Sequence, residues 1–514
     1  MSGSGSAQEK AATPVVVAID QGTSSTKAIV VDREGKIIAS HSISVTREDP
    51  EPGVVAQDPG EIRDSVFDAI NAVLAGQNVE VLGLGLSNQR ESAVVWDRAT
   101  GEPLGPLLGW QDRRTLDRVP ALIEAGQDEK VRRLTGLPLD PMFSALKLQW
   151  LLDSVDGDRA RSRAGEIAVG TVDSWLVYAM TGEHRIEIGN ASRTQLMNLK
   201  TRTWDPELLD LFNIPAETLP AIVESNRPSV PVRGIRELSS PTRIFAVLGD
   251  SHAALYAHGN KDRGAIKITH GSGSSMMGLL GSELPEDHES DSAAAGLVNT
   301  IAWAEEHPVY AFEGTILSSG ATLLWLAGLL GMGPGQLAAM AESVPSSQGT
   351  DLVPAFAGLG APWWDKNATA VLSGFGLGTD ARHLAHAAFD SIVLQAEELF
   401  SAAVQYLGHA LPSVHVDGGP TKNDWLMQLH ADISQRTIIR SNVAELSALG
   451  AAHMAGLACG LWTQAQLDAL PRSKDVFTPE MSGENASMRR QQWLQAVDRS
   501  RLSSDAPKVQ QVTV

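Results

Sequence analysis

Two stretches of the chain repeat one design: "AIDQGTSSTKAIVVD" from Ala18 and "GAIKITHGSGSSMMGLLG" from Gly264. In each, an apolar strand runs into a turn of glycine and hydroxyl side chains and then resumes as a second apolar strand, which reads as a hairpin. The turns are too polar for a core. A turn that holds something anionic accounts for both the glycine and the donors. Gly22 lets the backbone approach a ligand, Thr23, Ser24, Ser25 and Thr26 offer hydroxyl and amide donors to phosphate oxygens, and Lys27 adds a cation. Asp20 carries the charge that phosphate repels, so its expected role is to hold magnesium through water. A third turn, "VDGGPTKND", places Gly418 and Gly419 at the end of an apolar strand, with Asn423 opening the helix that follows. Singly, each is an ordinary polar turn; three of them could enclose a triphosphate and its base.

At 514 residues the chain exceeds what one hydrophobic core supports, so two domains are expected. Strands are expected at "PVVVAID", "KAIVVD", "KIIASHSISV" and "VEVLGLGLS", and helix and strand alternate from there to about Asp250. "DPGEIRDSVFDAINAVLA" predicts a helix capped by Asp58, with Pro59 in its first turn and Ile62, Val66, Ile70 and Val73 on one face. The start "MSGSGSAQEKAATP" reads as a short disordered lead without signal-peptide character, and the end "SSDAPKVQQVTV" as a frayed tail.

A formal net charge of −20 repels nucleic acid and anionic lipid, and no basic run offsets it, so neither is an expected partner. The single cysteine, Cys459, excludes disulfides and thiolate metal sites by count and reads as a small buried side chain. Glycine, serine or charge interrupts every apolar run short of a membrane span, so a soluble cytoplasmic protein is expected. "VLGLGLSNQR" and "HGSGSSMMG" lack the glycine spacing of dinucleotide and Walker-type phosphate loops, and no HExxH-type zinc helix is present.

The chain resembles the glycerol kinase branch of the FGGY family of sugar kinases. The resemblance lies in "AIDQGTSSTKA", "LSNQRES", "WQDRRT", "TGLPLDPMFSALKLQWLLD", "GTVDSWLVYAMTG", "NASRTQLMNL", "LGDSHAAL", "GSGSS", "VPAFAGLGAPWWD", "VDGGPTKNDWLMQLHADI" and "ELSALGAAHMAGLACG". These segments run in the family's order from about Val15 to about Gly460. The resemblance implies an α/β fold of two ribonuclease-H-like, actin-like ATPase domains around a central cleft. We expect a substrate-binding domain over 14–255 and a nucleotide-binding domain over 256–505. It implies that Thr23, Ser24, Ser25 and Lys27 contact nucleotide phosphates, Lys27 standing where glycerol kinases usually have arginine. Ser272, Gly320, Gly419 and Asn423 fall at nucleotide-contact positions, Asp20 near magnesium, Asp250 at the general base, and Arg90, Glu91 and Trp110 at polyol-binding positions. These types suit phosphoryl transfer from magnesium-ATP. A carboxylate accepts the alcohol proton, a donor and acceptor pair holds vicinal hydroxyls, and an aromatic face meets carbon-bound hydrogens. Homo-oligomers occur among such relatives.

The chain departs from glycerol kinases at Met142, Ser251 and Ser275, where those enzymes carry tyrosine, glutamine and phenylalanine, and at Leu324, where they carry a glutamine near the nucleotide. Smaller side chains imply a roomier acceptor pocket, so a four- or five-carbon acyclic polyol or ketose is expected, with Ser251, His252 or Ser275 serving extra hydroxyls. The alternatives are glycerol kinase itself, since Arg90, Glu91, Trp110 and Asp250 are all kept, a catalytically silent sugar- or nucleotide-binding protein on the same fold, and an ATPase without an acceptor. The silent reading fits poorly because neither the base nor a phosphate turn is lost. An ATPase would have no use for Asp250 or "NQRE". Arg113 and Arg114 read as structural.

Overall fold

The computed structural model describes residues 12–238, 241–285 and 295–502. The expected lead and tail fall outside those residues, apart from its last three positions in the case of the lead. The chain is α/β and divides into two compact units. Unit 1 takes residues up to Asn260 together with Thr300–Tyr310 and Glu445–Pro471, and unit 2 takes the remainder. The units are therefore discontinuous in sequence, unlike the unbroken spans 14–255 and 256–505 expected from the sequence. The physical reason is visible at Gly450, in helix Leu446–Ala458, where a side chain would overlap the backbone of Ala253. That late helix is packed backbone to backbone into unit 1.

Unit 1 is built on a five-stranded sheet. Its strands are β1 (Thr13–Gln21), β2 (Ser25–Asp32), β3 (Ile37–Ser44), β4 (Val79–Asn88) and β5 (Ile244–Gly249), ordered β5-β4-β1-β2-β3. β1 pairs antiparallel with β2 and parallel with β4, and β4 pairs parallel with β5. The unbroken apolar run Val15–Ile19 follows from burial on both faces, as parallel central strands require. Val15, Val17 and Ile19 belong to one core cluster with Ile62, Val66, Ile70 and Val73 of helix α1 (Pro59–Leu74). α1 starts as its sequence predicts: the Asp58 carboxylate accepts from Gly60 N at 2.8 Å, and Pro59 occupies the first turn. Two further helices matter for the site: α2 (Ser144–Val155) and α3 (Asp250–Ala257), which begins directly where β5 ends. Cys459 is partly buried rather than enclosed.

A second sheet has seven strands, most of them in unit 2. Its strands are β6 (Ile266–His270), β7 (Ser274–Gly281), β8 (Val298–Ala304), β9 (Pro308–Ile316), β10 (Ser413–Asp417), β11 (Thr437–Ser441) and β12 (Lys474–Phe477), ordered β8-β9-β7-β6-β10-β11-β12. Its hairpin strand β6 lies parallel to β10, as β1 does to β4, so the path β9-β7-β6-β10-β11 repeats β3-β2-β1-β4-β5. Helices α4 (Gly320–Leu329), α5 (Ala381–Leu407) and α6 (Asp424–Ser434) complete the elements used below. Among the described residues no single helix is long and apolar enough to cross a membrane.

Candidate active site

Parallel sheets present functional groups at the carboxyl ends of their strands, where the loops turn away. In unit 1 the ends of β1, β4 and β5 are adjacent, Asp20 opposite Ser87 and Gly249 opposite Asn88. Ser87 Oγ donates to Asp20 Oδ1 at 2.8 Å. Burial, helped by the nearby negative charge of Asp250 and opposed by the Ser87 bond and Lys27, pushes the Asp20 carboxyl up to about 6. Two carboxylates that repel each other in a low-dielectric setting suit a bound cation. Magnesium, which keeps most of its waters and takes one or two protein carboxylates, fits that donor set.

Arg90, just past the end of β4, donates through Nε to Asp250 Oδ1 at 3.2 Å, and its Nη1 lies 3.3 Å from His252 Nε2. Asp250 is the first residue of α3, and its Oδ1 also accepts from Ser251 N at 2.6 Å. Gly249 makes this possible, since a side chain there would overlap Arg90 Cδ. The Arg90 side chain is 9% exposed and that of Asp250 42%, so a buried cation anchors a carboxylate that reaches solvent. Ser251 is partly buried and His252 fully buried.

Glu91 turns the other way. It has a left-handed backbone (φ 58°), and its Oε1 accepts from Arg193 Nε at 2.6 Å in a buried ion pair. The Arg193 guanidinium lies over the Phe143 ring at 5.2 Å, beside Met142. Trp110 is 40% exposed and occupies a turn closed by Asp112 N donating to Gly109 O at 3.1 Å. Met142 is partly buried in a second turn, where its N–H donates to Asp140 Oδ1 at 2.9 Å. Arg114 and Arg113 pair with Asp112 and Asp140 at 2.9 and 2.6 Å, in keeping with a structural role.

The hairpin turn is closed by Gly22 N donating to Ser25 O at 2.9 Å, leaving Thr23 and Ser25 partly buried and Ser24 exposed. Lys27 pairs with Glu445 at 3.1 Å. Behind the turn runs a buried chain of amides that the sequence reading missed. Gln89 Nε2 donates to Gln21 Oε1 (3.2 Å) and to Gln57 Oε1 (2.9 Å). Gln21 in turn donates to Gly22 O (2.7 Å) and Gln57 to Thr23 O (3.0 Å). Also missed were Ser87, Arg193 and Lys147, which like Gln89 and Gln21 stand inside motifs quoted above without a role of their own, whereas Gln57 lies outside them all.

In unit 2 the turn Gly271–Gly273 joins β6 to β7, and Ser272 is exposed at its tip. Its carbonyls are engaged: Ser272 O accepts from Ser319 N and Ala321 N at 2.8 and 3.0 Å, and Gly271 O accepts from Gly320 N at 2.9 Å. The turn and the start of α4 are thereby locked together. Ser275 is partly buried on β7 opposite Thr269. Gly418 (φ 100°) passes so close to β6 that any side chain would overlap His270 O, whereas Gly419 is exposed with open space around it. Asn423 caps α6, its Oδ1 accepting from Leu426 N at 2.9 Å. Leu324 is 60% exposed on α4.

A model of the FGGY family of carbohydrate kinases, N-terminal domain, matches residues 15–238, and the C-terminal domain of the same family matches residues 266–459. The chain belongs to the FGGY family. This FGGY kinase is 41% identical over 501 residues to an apulose kinase of Pectobacterium atrosepticum, covering 96% of this chain and all of that protein. It is 40% identical over 498 residues to a glycerol kinase of Acinetobacter baylyi, covering 95% and 99% of the two chains. Its structure matches that of Plasmodium falciparum glycerol kinase with ADP at a TM-score of 0.90 and 28% identity, over 96% and 99% of the two chains. A ligand-bound xylulose kinase of Lactobacillus acidophilus shares the fold at a TM-score of 0.86 and 22% identity, over 96% and 99%. The FGGY kinase is accordingly an ATP-dependent phosphotransferase acting on an alcohol group of a sugar or polyol, on the two-domain actin-like ATPase fold.

Proposed function

We propose that this kinase phosphorylates a four- or five-carbon acyclic polyol or ketose, with Asp250 as general base. The observation that carries the reading is the buried Arg90 holding a partly exposed Asp250 at the start of α3. As the acceptor oxygen bonds to the γ-phosphorus and the bridging oxygen departs with ADP, the acceptor proton passes to the Asp250 carboxylate. Arg90 fixes the carboxylate, and Trp110, Met142 and Ser251 of unit 1 are the proposed acceptor contacts. Glu91 acts through its ion pair with Arg193 as well as by offering an acceptor oxygen. Thr23, Ser24, Ser25 and Lys27 are the proposed phosphate donors of unit 1, and Ser272, Gly320, Gly419 and Asn423 the nucleotide contacts of unit 2. Asp20 would hold magnesium, which when bound neutralises phosphate charge.

The size argument rests on Met142, Ser251 and Ser275 replacing two aromatic residues and an amide. The 41% identical relative called apulose kinase, a ketose by its name, supports a sugar acceptor. The competing reading is glycerol itself, favoured by the 40% identical relative called glycerol kinase. ADP release with magnesium-ATP against glycerol, tetritols, pentitols and the matching ketoses separates them. Turnover of a four- or five-carbon compound that is lost in Asp250→Asn is the expected result; preference for glycerol would defeat the size argument. Silence across the panel would revive the non-catalytic reading.

A further inference from the structure

Lys147 is fully buried in α2, between Leu146 and Leu148. A residue needed there only for packing would be apolar, because burying an ammonium is costly. It is also not required as a charge partner. The carboxylates that attract it, Glu91, Asp112 and Asp140, are already bonded to Arg193, Arg114 and Arg113. Its ammonium instead donates to two main-chain carbonyls, Gly109 O at 3.2 Å and Met142 O at 2.6 Å. Gly109 opens the turn that carries Trp110, and Met142 lies in the turn begun by Asp140, where Phe143 N donates to Asp140 O at 3.3 Å. One side-chain nitrogen therefore joins two turns 33 residues apart in sequence (142 − 109), each bearing a proposed acceptor contact.

We propose that Lys147 is a positioning residue that fixes the Trp110 turn relative to the Met142 turn, and so sets which acceptor length the kinase accepts. The inference rests on the acceptor site proposed above. A hydrophobic replacement keeps the stem but releases both carbonyls, and small misplacements of positioning groups carry large kinetic effects.

The test is Lys147→Met, measured beside Trp110→Ala on the acceptor panel. We expect Lys147→Met to raise the acceptor KM by about fivefold or more while the KM for ATP stays within about twofold. The kcat/KM ratio between the best acceptor and its one-carbon-shorter homologue should fall at least about threefold, within the range a single methylene controls. A merely structural role lowers the folded fraction, which scales kcat for every acceptor alike and leaves both KM and that ratio in place. That pattern would overturn the inference. Trp110→Ala keeps the two failures apart: an unchanged acceptor KM in that variant defeats the acceptor site itself. A raised KM there beside an unchanged one in Lys147→Met defeats only the positioning role. Should Lys147→Met not fold, Lys147→Gln is judged by the same criteria.

Discussion

Arg90 Nε and Asp250 Oδ1 stand 3.2 Å apart just beyond the ends of two neighbouring parallel strands, the arginine buried and the aspartate open to solvent. The pairing makes the two residues a unit rather than two independent contributors. Asp250→Asn should lower kcat by about 10²- to 10⁴-fold, the usual worth of a positioned proton acceptor. Arg90→Ala alone should also cost activity, but in the Asp250→Asn background it should cost much less, because residues acting together are non-additive. Steady-state kinetics on the two single variants and the double variant decide this, and strictly additive losses would mean the pair is incidental.

Gly249→Ala probes the same arrangement without touching either charged group. Its new methyl would overlap Arg90 Cδ and lie within 2.7 Å of Cγ, so the arginine stem must move aside. We expect kcat/KM to drop about tenfold while the protein remains folded, since overpacking typically costs only 1–3 kcal/mol, roughly. Circular dichroism and the coupled ADP assay on one preparation check both halves. Full activity in Gly249→Ala would show that Arg90 can be displaced without consequence.

The amide chain predicts a nucleotide effect from a residue that offers no donor to a phosphate. Gln89 holds Gln21 and Gln57, which hold the carbonyls of Gly22 and Thr23. Gln89 Oε1 is itself buried with no hydrogen-bond partner among the described residues, so a glutamine is kept there for its two donor hydrogens. Gln89→Leu should raise the KM for ATP severalfold and lower thermal stability, since it leaves the buried Gln21 and Gln57 oxygens without their donor. An ATP KM equal to that of the unaltered kinase would remove the amide chain from the phosphate turn's support.

Local patterns announced the elements but not their cross-links. The Asp58–Pro59 start, the apolar run of β1 and the hydroxyl turns each declare themselves within a dozen residues, because capping, strand burial and turn chemistry are local. Gln89 and Gln21 are 68 residues apart, and Arg193 lies 102 from Glu91, so their pairing depends on which strand ends become neighbours. Segment Glu445–Pro471 joins unit 1 although its helix is apolar all round, a pattern that signals burial without saying against what. Lys147 was visible as a lone cation in "FSALKLQW", but its acceptors are main-chain carbonyls, which leave no mark in a sequence.

That buried lysine also gives fold stability a defined pH dependence. Burial pushes the Lys147 ammonium from 10.5 down to about 7, with Glu91, Asp112 and Asp140 pulling the other way. Below pH 7 the folded and unfolded chains both carry the proton, and the burial penalty is present in full. Between about 7 and 10.5 the unfolded chain keeps a proton that the folded chain has released, so the contribution to stability rises with pH across that window. Lys147→Met has no such group. The difference in melting temperature, variant minus unaltered protein, should therefore be nearly flat below about pH 7 and fall from there to pH 9 in thermal unfolding scans. A difference that stays constant would mean the ammonium keeps its ordinary affinity for the proton, and one that grows would reverse the sign of the argument.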